Sequence, residues 1–121
     1  MELIKVIIYI SCFVVAFLIG GISPAILISR AKGIDITKTG SGNAGATNTF
    51  RVLGKKLGIT VFLLDVLKGF AVTFLIGLVL GENASYFAAL GVVLGHVFSV
   101  YNKFKGGKGV ASAIGVVFAV N

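Results

Sequence analysis

Two short segments of this chain hold most of the side chains that could handle a charged substrate. The first, Gly40-Ser41-Gly42-Asn43-Ala44-Gly45-Ala46-Thr47-Asn48, sets three glycines among hydroxyl and amide side chains, with Lys38 before it and Arg51 just beyond. Glycines let backbone N–H groups turn toward an anion, and a guanidinium grips a phosphate or carboxylate with two parallel hydrogen bonds. Ser41, Asn43, Thr47 and Asn48 add donors, so the string reads as an oxyanion cradle jointed at Gly40, Gly42 and Gly45. The bland alternative is a flexible polar connector. The second segment, Lys103-Phe104-Lys105-Gly106-Gly107-Lys108-Gly109, opens an apolar run. Lys105, Gly106, Gly107, Lys108 and Gly109 combine ammonium charge, open backbone and a helix N-terminus, which suits a phosphomonoester or acyl phosphate. A plain basic turn at a membrane surface is the alternative there.

Neither segment is a nucleotide motif. Gly40-x-Gly42-x-x-Gly45 fits the dinucleotide fingerprint, and Asp65 stands about 20 residues beyond Gly45, but that fingerprint needs a preceding strand and a βαβ unit. In the second segment Gly109 follows Lys108 where a Walker A loop requires Ser or Thr, which argues against ATP hydrolysis. His96, the only histidine, lies close before that segment and reads either as a base or as a hydrogen-bonded packing residue. With one histidine and one cysteine, Cys12, no zinc site assembles, so neither metal nor cofactor is expected. Asp65 and Lys68 are three apart on one helical face, where they can neutralise one another and support the site.

The elements that must position these groups are membrane helices. The 121 residues are 57% hydrophobic and 12% charged, with a mean hydropathy of +1.06. Soluble domains approach about 25% charged residues. Disorder, collagen and a disulfide scaffold are excluded by sparse charge, one proline and a single cysteine. The net charge of +7 would suggest nucleic acid on a soluble fold, but most of the 11 Lys and Arg lie in two segments between apolar runs, which points to membrane orientation instead. Residues 6–29, 57–81 and 84–101 are read as spans, and 109–121 as a partial fourth that reaches only about 20 Å of the ~30 Å hydrocarbon core. A cleaved signal peptide is the rival reading of the first run, which is longer than a usual apolar signal core of about 7 to 15 residues. Pro24, with Gly20, Gly21 and Ser23, should kink that first helix and free a carbonyl. Loops 30–56 and 102–108 carry the basic residues, which predicts a cytoplasmic position for both and an external N-terminus. The expected fold is an all-α integral membrane protein, a polytopic transmembrane helix bundle truncated in its fourth span.

These strings resemble a known family, the bacterial membrane acyl-phosphate:glycerol-3-phosphate acyltransferases or PlsY family. The resemblance rests on Gly40 through Arg51, on Leu64-Asp65-Val66-Leu67-Lys68-Gly69, on Gly95-His96-Val97-Phe98 and on Phe104 through Ser112, and it extends to Ser23-Pro24. It implies transfer of a fatty acyl group from acyl phosphate to the 1-hydroxyl of glycerol 3-phosphate, without coenzyme A, at a bacterial inner membrane. It marks Ser41 and Arg51 as important for activity and Gly106, Gly107, Lys108 and Gly109 as the glycerol-phosphate loop. Three routes remain for the hydroxyl proton: His96, a residue of the family's later Asn/His/Glu motif, or the phosphate of the donor. Readings from other classes are a membrane anion transporter and an inactive membrane fragment, and the 121-residue chain is expected to be silent by itself.

Overall fold

The structure, a computed structural model, describes residues 2–120, and among these every regular element is helical. Helix α1 (Glu2–Gly20) is apolar along its length and stops where Pro24 approaches, because proline forbids helical geometry in the residue before it and cannot donate to the preceding turn. Ser23 accordingly sits extended, accepts a hydrogen bond from the Ile26 N–H at 3.1 Å, and caps α2 (Pro24–Ala31) with Pro24 at its first position. The expected kink is thus a full break with three residues between two helices. A single 3-10 turn at Ile36–Lys38 follows, capped by Asp35 through its carboxylate and the Thr37 N–H. The first polar connection is not loop throughout: residues Ala46–Leu53 form helix α3, so Thr47, Asn48 and Arg51 are helical.

Helix α4 (Lys55–Leu80) is 26 residues long, about 39 Å at 1.5 Å per residue, and it turns at Gly81 into α5 (Glu82–Val97). Helix α6 (Val110–Val120) closes the described chain. Two seams hold the bundle. Along α1 and α5, which run parallel, Tyr9 stacks on Phe87, and Cβ atoms added at Gly91 or Gly95 would strike the carbonyls of Phe13 or Phe17. Along α4 and α6, which run antiparallel, Gly69 lies against the Ser112 carbonyl and Gly115 against that of Val66. Such small-residue contacts let helix backbones approach in a medium where apolar burial offers little, because lipid is as apolar as leucine.

Leu78 and Val79 remain 68% and 79% exposed on α4, and Leu3 71% on α1, whereas the buried cluster between the helices consists of small residues, Ala16, Ala88 and Val92, with Val72, Ile76, Val93 and Val116 against it. Apolar surface of this extent is stable against lipid or further protein and not against water. Three helical stretches, Glu2–Ala31, Lys55–Leu80 and Glu82–Asn102, are long and apolar enough to cross a bilayer.

Candidate active site

The break between α1 and α2, the connection carrying α3, and the connection from α5 to α6 all meet at one end of the bundle. The two connections, with α4 and α5, line a cavity of about 320 Å³. One wall is the first turn of α3: Ala46, Thr47 and Asn48 line it, and the N–H groups of a helix's first turn have no partner within the helix. Another wall is the start of α6, Val110 and Ala111, with Lys108 and Gly109 just before it. Two positive helix ends therefore aim at one space, which is also lined by Arg51 and Ser41. Asp65 and His96 form its buried floor, and Phe62 adds an apolar side.

The first connection is organised by one side chain. Asn48 is 1% exposed; its Oδ1 accepts from the Ser41 N–H at 3.0 Å, and its Nδ2 faces the carbonyls of Thr39 at 2.9 Å, Asn43 at 3.1 Å and Ile36 at 3.2 Å. Gly40, at φ +61°, lies so close that a Cβ there would strike the Asn48 amide. Ser41 Oγ accepts from the Asn43 N–H at 3.3 Å, which leaves its own proton to donate into the cavity. The expectation that Asn48 serves as a substrate donor therefore changes. Its amide is consumed in folding the loop, and Ser41, Asn43, Thr47 and Arg51 are left to face a ligand.

The second connection is organised by its backbone. The Gly106 N–H donates to the Val97 carbonyl at 2.9 Å and the Gly107 N–H to that of His96 at 3.2 Å, closing the loop onto the end of α5. Lys103 and Phe104 both take left-handed backbone at φ 55° and 63°, a conformation strained for residues with a Cβ, and Phe104 N–H reaches the Ser99 carbonyl at 2.6 Å. The sequence suggested open N–H groups at Gly106 and Gly107. Those donors are taken, and neither residue lines the cavity; the free donors lie one step later, at the start of α6. Gly107 instead permits close approach, since a Cβ there would stand 2.5 Å from both the Ala44 carbonyl and His96 Nε2. Lys105 is exposed and, like Gly40 and Gly42, does not line the cavity.

Beneath the cavity Lys68 Nζ donates to the carbonyls of Gly20 at 2.9 Å and Ile22 at 3.0 Å, lies 2.8 Å from His96 Nδ1, and stands 3.3 Å from Asp65 Oδ1. The pairing of Asp65 with Lys68 matches the helical spacing. The contacts to α1 and α5 join residues 28 and more positions apart, and no local pattern signals them. Ser99 Oγ donates to the third carbonyl of the break, Gly21, at 2.6 Å. No cluster of three His, Cys, Asp or Glu able to hold a metal occurs among the described residues.

Comparison with known proteins decides the family. The family model described as glycerol-3-phosphate acyltransferase matches residues 10–121. This chain belongs to the glycerol-3-phosphate acyltransferase family. Among similar members, the glycerol-3-phosphate acyltransferase of Aquifex aeolicus is 49% identical over 108 residues, 88% of this chain and 56% of that one. That of Geobacter sulfurreducens is 48% identical over 109 residues, again 88% of this chain and 56% of the relative. The chain thus spans a little over half the length of the acyltransferases it matches. Its structure is similar to the crystal structure of PlsY (YgiH), an integral membrane glycerol 3-phosphate acyltransferase, in its glycerol 3-phosphate form. That match has a TM-score of 0.87 and 46% identity, and covers 93% of this chain and 57% of the other. The lysophosphatidic acid form of PlsY matches with a TM-score of 0.84. As a member of this acyltransferase family the chain is an all-helical, membrane-embedded protein.

Proposed function

We propose that this chain carries the phosphate-handling part of an enzyme that moves a fatty acyl group from acyl phosphate to the 1-hydroxyl of glycerol 3-phosphate, forming lysophosphatidic acid and inorganic phosphate. The observation that carries the reading is the convergence of two helix N-termini with Arg51, Lys108, Ser41 and His96 on one cavity at the end of an apolar bundle. A reaction between two phosphorylated substrates needs two sets of anion donors, and an acyl tail needs an apolar flank such as Phe62 supplies. The glycerol 3-phosphate and lysophosphatidic acid forms of PlsY support the same acceptor and product.

In this reaction the glycerol oxygen forms a bond to the acyl carbon, and the bond from that carbon to the phosphate oxygen breaks with its electron pair leaving on phosphate. Acyl phosphate is already activated. Holding the two substrates together and stabilising the charge that gathers on oxygen therefore account for most of the rate. Arg51 and Lys108 are the cations for that work, and Ser41 a neutral donor beside them. The absence of Lys and Arg in the turn at Gly81, Glu82 and Asn83, against their abundance around the cavity, supports an external N-terminus, and the family resemblance implies a bacterial inner membrane. It would put the cavity on the side where a water-soluble acceptor is made.

The test reconstitutes the full-length gene product in lipid vesicles. Arg51→Ala and Ser41→Ala should each lower kcat/KM by about 100-fold or more while insertion is unchanged, because each removes a charge-directed donor. Acyl-CoA should not replace acyl phosphate. Near-normal kinetics in both variants would overturn the site, and turnover with acyl-CoA alone would overturn the donor. In a Cys12→Ala background, single cysteines at Thr39 and Asn83 should label from opposite sides of the membrane; labelling from one side would overturn the orientation.

A further inference from the structure

The network under the cavity has an arithmetic of its own. A lysine ammonium has three N–H donors and no acceptor. Lys68 meets three acceptors at hydrogen-bonding distance: the Gly20 carbonyl, the Ile22 carbonyl and His96 Nδ1. Asp65 stands 3.3 Å from Nζ and supplies the opposing charge. The three side chains are nearly sealed, at 8% exposure for Lys68, 4% for His96 and 2% for Asp65. Against a group that only donates, Nδ1 must accept, so it carries no proton. A proton on Nδ1 would need another acceptor, and the nearest carboxylate oxygen, Asp65 Oδ1, is 3.6 Å away, beyond hydrogen-bond reach. The imidazole proton therefore sits on Nε2, the atom that faces Gly107, on a residue that lines the cavity.

We infer that Lys68 is a positioning residue that ties the break in the first span to His96 and holds the imidazole as an Nε2–H donor facing the substrates, not as a base. The inference rests on the acyl-transfer reading for what His96 donates to, an oxygen of a bound phosphate or of the acyl group under attack. It does not rest on it for the tautomer. Because Nε2 already carries its proton, His96 stays protonated at Nε2 throughout and donates a hydrogen bond only. The glycerol hydroxyl proton leaves with the departing phosphate or by a residue elsewhere. Lys68 also accounts for the sequence of the break. Pro24, which has no N–H, leaves the Gly20 carbonyl without a helical partner, and Ser23 Oγ takes the Ile26 N–H that would have served Ile22; both carbonyls orient the Lys68 ammonium, so a helix interruption far from the cavity in sequence sets the direction of a side chain beneath it.

The experiment uses the full-length gene product in lipid nanodiscs with ¹⁵N-labelled histidine, the His96 signals being assigned by their loss in His96→Gln. The expected spectrum at neutral pH shows one tautomer, with Nδ1 unprotonated and Nε2 protonated. Lys68→Met should replace it with a mixture and lower kcat about tenfold or more with a smaller change in KM, and Lys68→Arg should recover part of both. His96→Ala should cost about 100-fold in kcat, as loss of an oxyanion donor does. His96→Gln, which keeps an amide N–H near the same place, should stay within about tenfold of wild type. A wild-type ring protonated at Nδ1, an unchanged tautomer in Lys68→Met, or equal inactivation by Gln and Ala would each overturn the inference. If Lys68→Met fails to insert, the wild-type spectrum and the Gln-to-Ala ratio still decide it. If wild type transfers no acyl group, the proposed function fails while the spectrum judges the tautomer separately.

Discussion

The two connections that wall the cavity reach the same end by opposite means. In the first, between α2 and α4, a single buried side chain does the folding: Asn48 gathers one N–H and three carbonyls from residues 36 to 43 and leaves the glycines to bend around it. In the second, between α5 and α6, no side chain plays that part for its glycines, and Gly106 and Gly107 bind the last carbonyls of α5 through their own N–H groups. The difference teaches where each is fragile. A loop folded by a side chain fails when atoms are removed, whereas one folded by backbone contact fails when atoms are added.

The comparison is broken most severely at the point where the loops touch. Gly107→Ala would wedge a methyl between the Ala44 carbonyl and the His96 ring, both 2.5 Å from the new atom. Neither neighbour is a flexible chain end, so the expected outcome is a loss of about 100-fold or more in acyl transfer and a cost beyond the usual ~1–3 kcal/mol of overpacking, read by assay and by thermal unfolding in detergent. Gly106→Ala should behave alike, because its methyl would strike the His96 carbonyl. Next comes Asn48→Ala, which strands the Ser41 N–H and several carbonyls; about 3 kcal/mol of destabilisation is expected, at roughly 1–3 kcal/mol for each buried group left without a partner. Asn48→Asp should be no milder, since it keeps the acceptor for Ser41 but turns a carboxylate toward three carbonyls. If Asn48→Ala retained wild-type stability, the contrast between the loops would be false.

Smaller effects sharpen the contrast. Lys103→Gly should stabilise the second connection by about 1 kcal/mol, because it relieves left-handed backbone at a residue with a Cβ. No gain in melting temperature would mean that the turn is not under that strain. The smallest effect concerns Asp35 in the first connection, whose carboxyl is held below the usual range chiefly by the Thr37 hydroxyl and then by the Thr37 N–H. A carboxyl lowered in the folded state contributes stability that is present above its ordinary value of 3.8 and is lost as pH falls through the lowered one. Asp35→Asn should therefore leave acyl transfer at neutral pH nearly unchanged. It should also remove a slight acid sensitivity of the 3-10 turn, measurable by hydrogen exchange at Thr37 below about pH 4.

Ser41, Arg51 and Lys108 were legible as candidates for one site because their types stand among glycines between apolar runs, and the structure brings all three to one cavity. Asn48 was legible as polar and belonging to that loop, but its task was not. An amide that donates to a substrate and one that folds its own loop look identical in a string. The N–H groups of Gly106 and Gly107 misled for a related reason, since whether a backbone donor is free depends on what lies opposite, here the end of α5.

By itself the sequence determined the solvent and the long apolar helices, though not α3 within the first connection. Uninterrupted apolar runs must be helices in lipid because no other open structure satisfies its own backbone there, and Pro24 must interrupt the first of them. It also determined the pairing of Asp65 with Lys68, because three residues along a helix is a fixed distance. Only the tertiary structure decided that Lys68 reaches Gly20, Ile22 and His96, that two helix N-termini line one cavity, and which polar groups are left free to bind. Those outcomes depend on how helices cross, and crossing is set by glycine seams whose partners lie scores of residues away, at distances that no local spacing encodes.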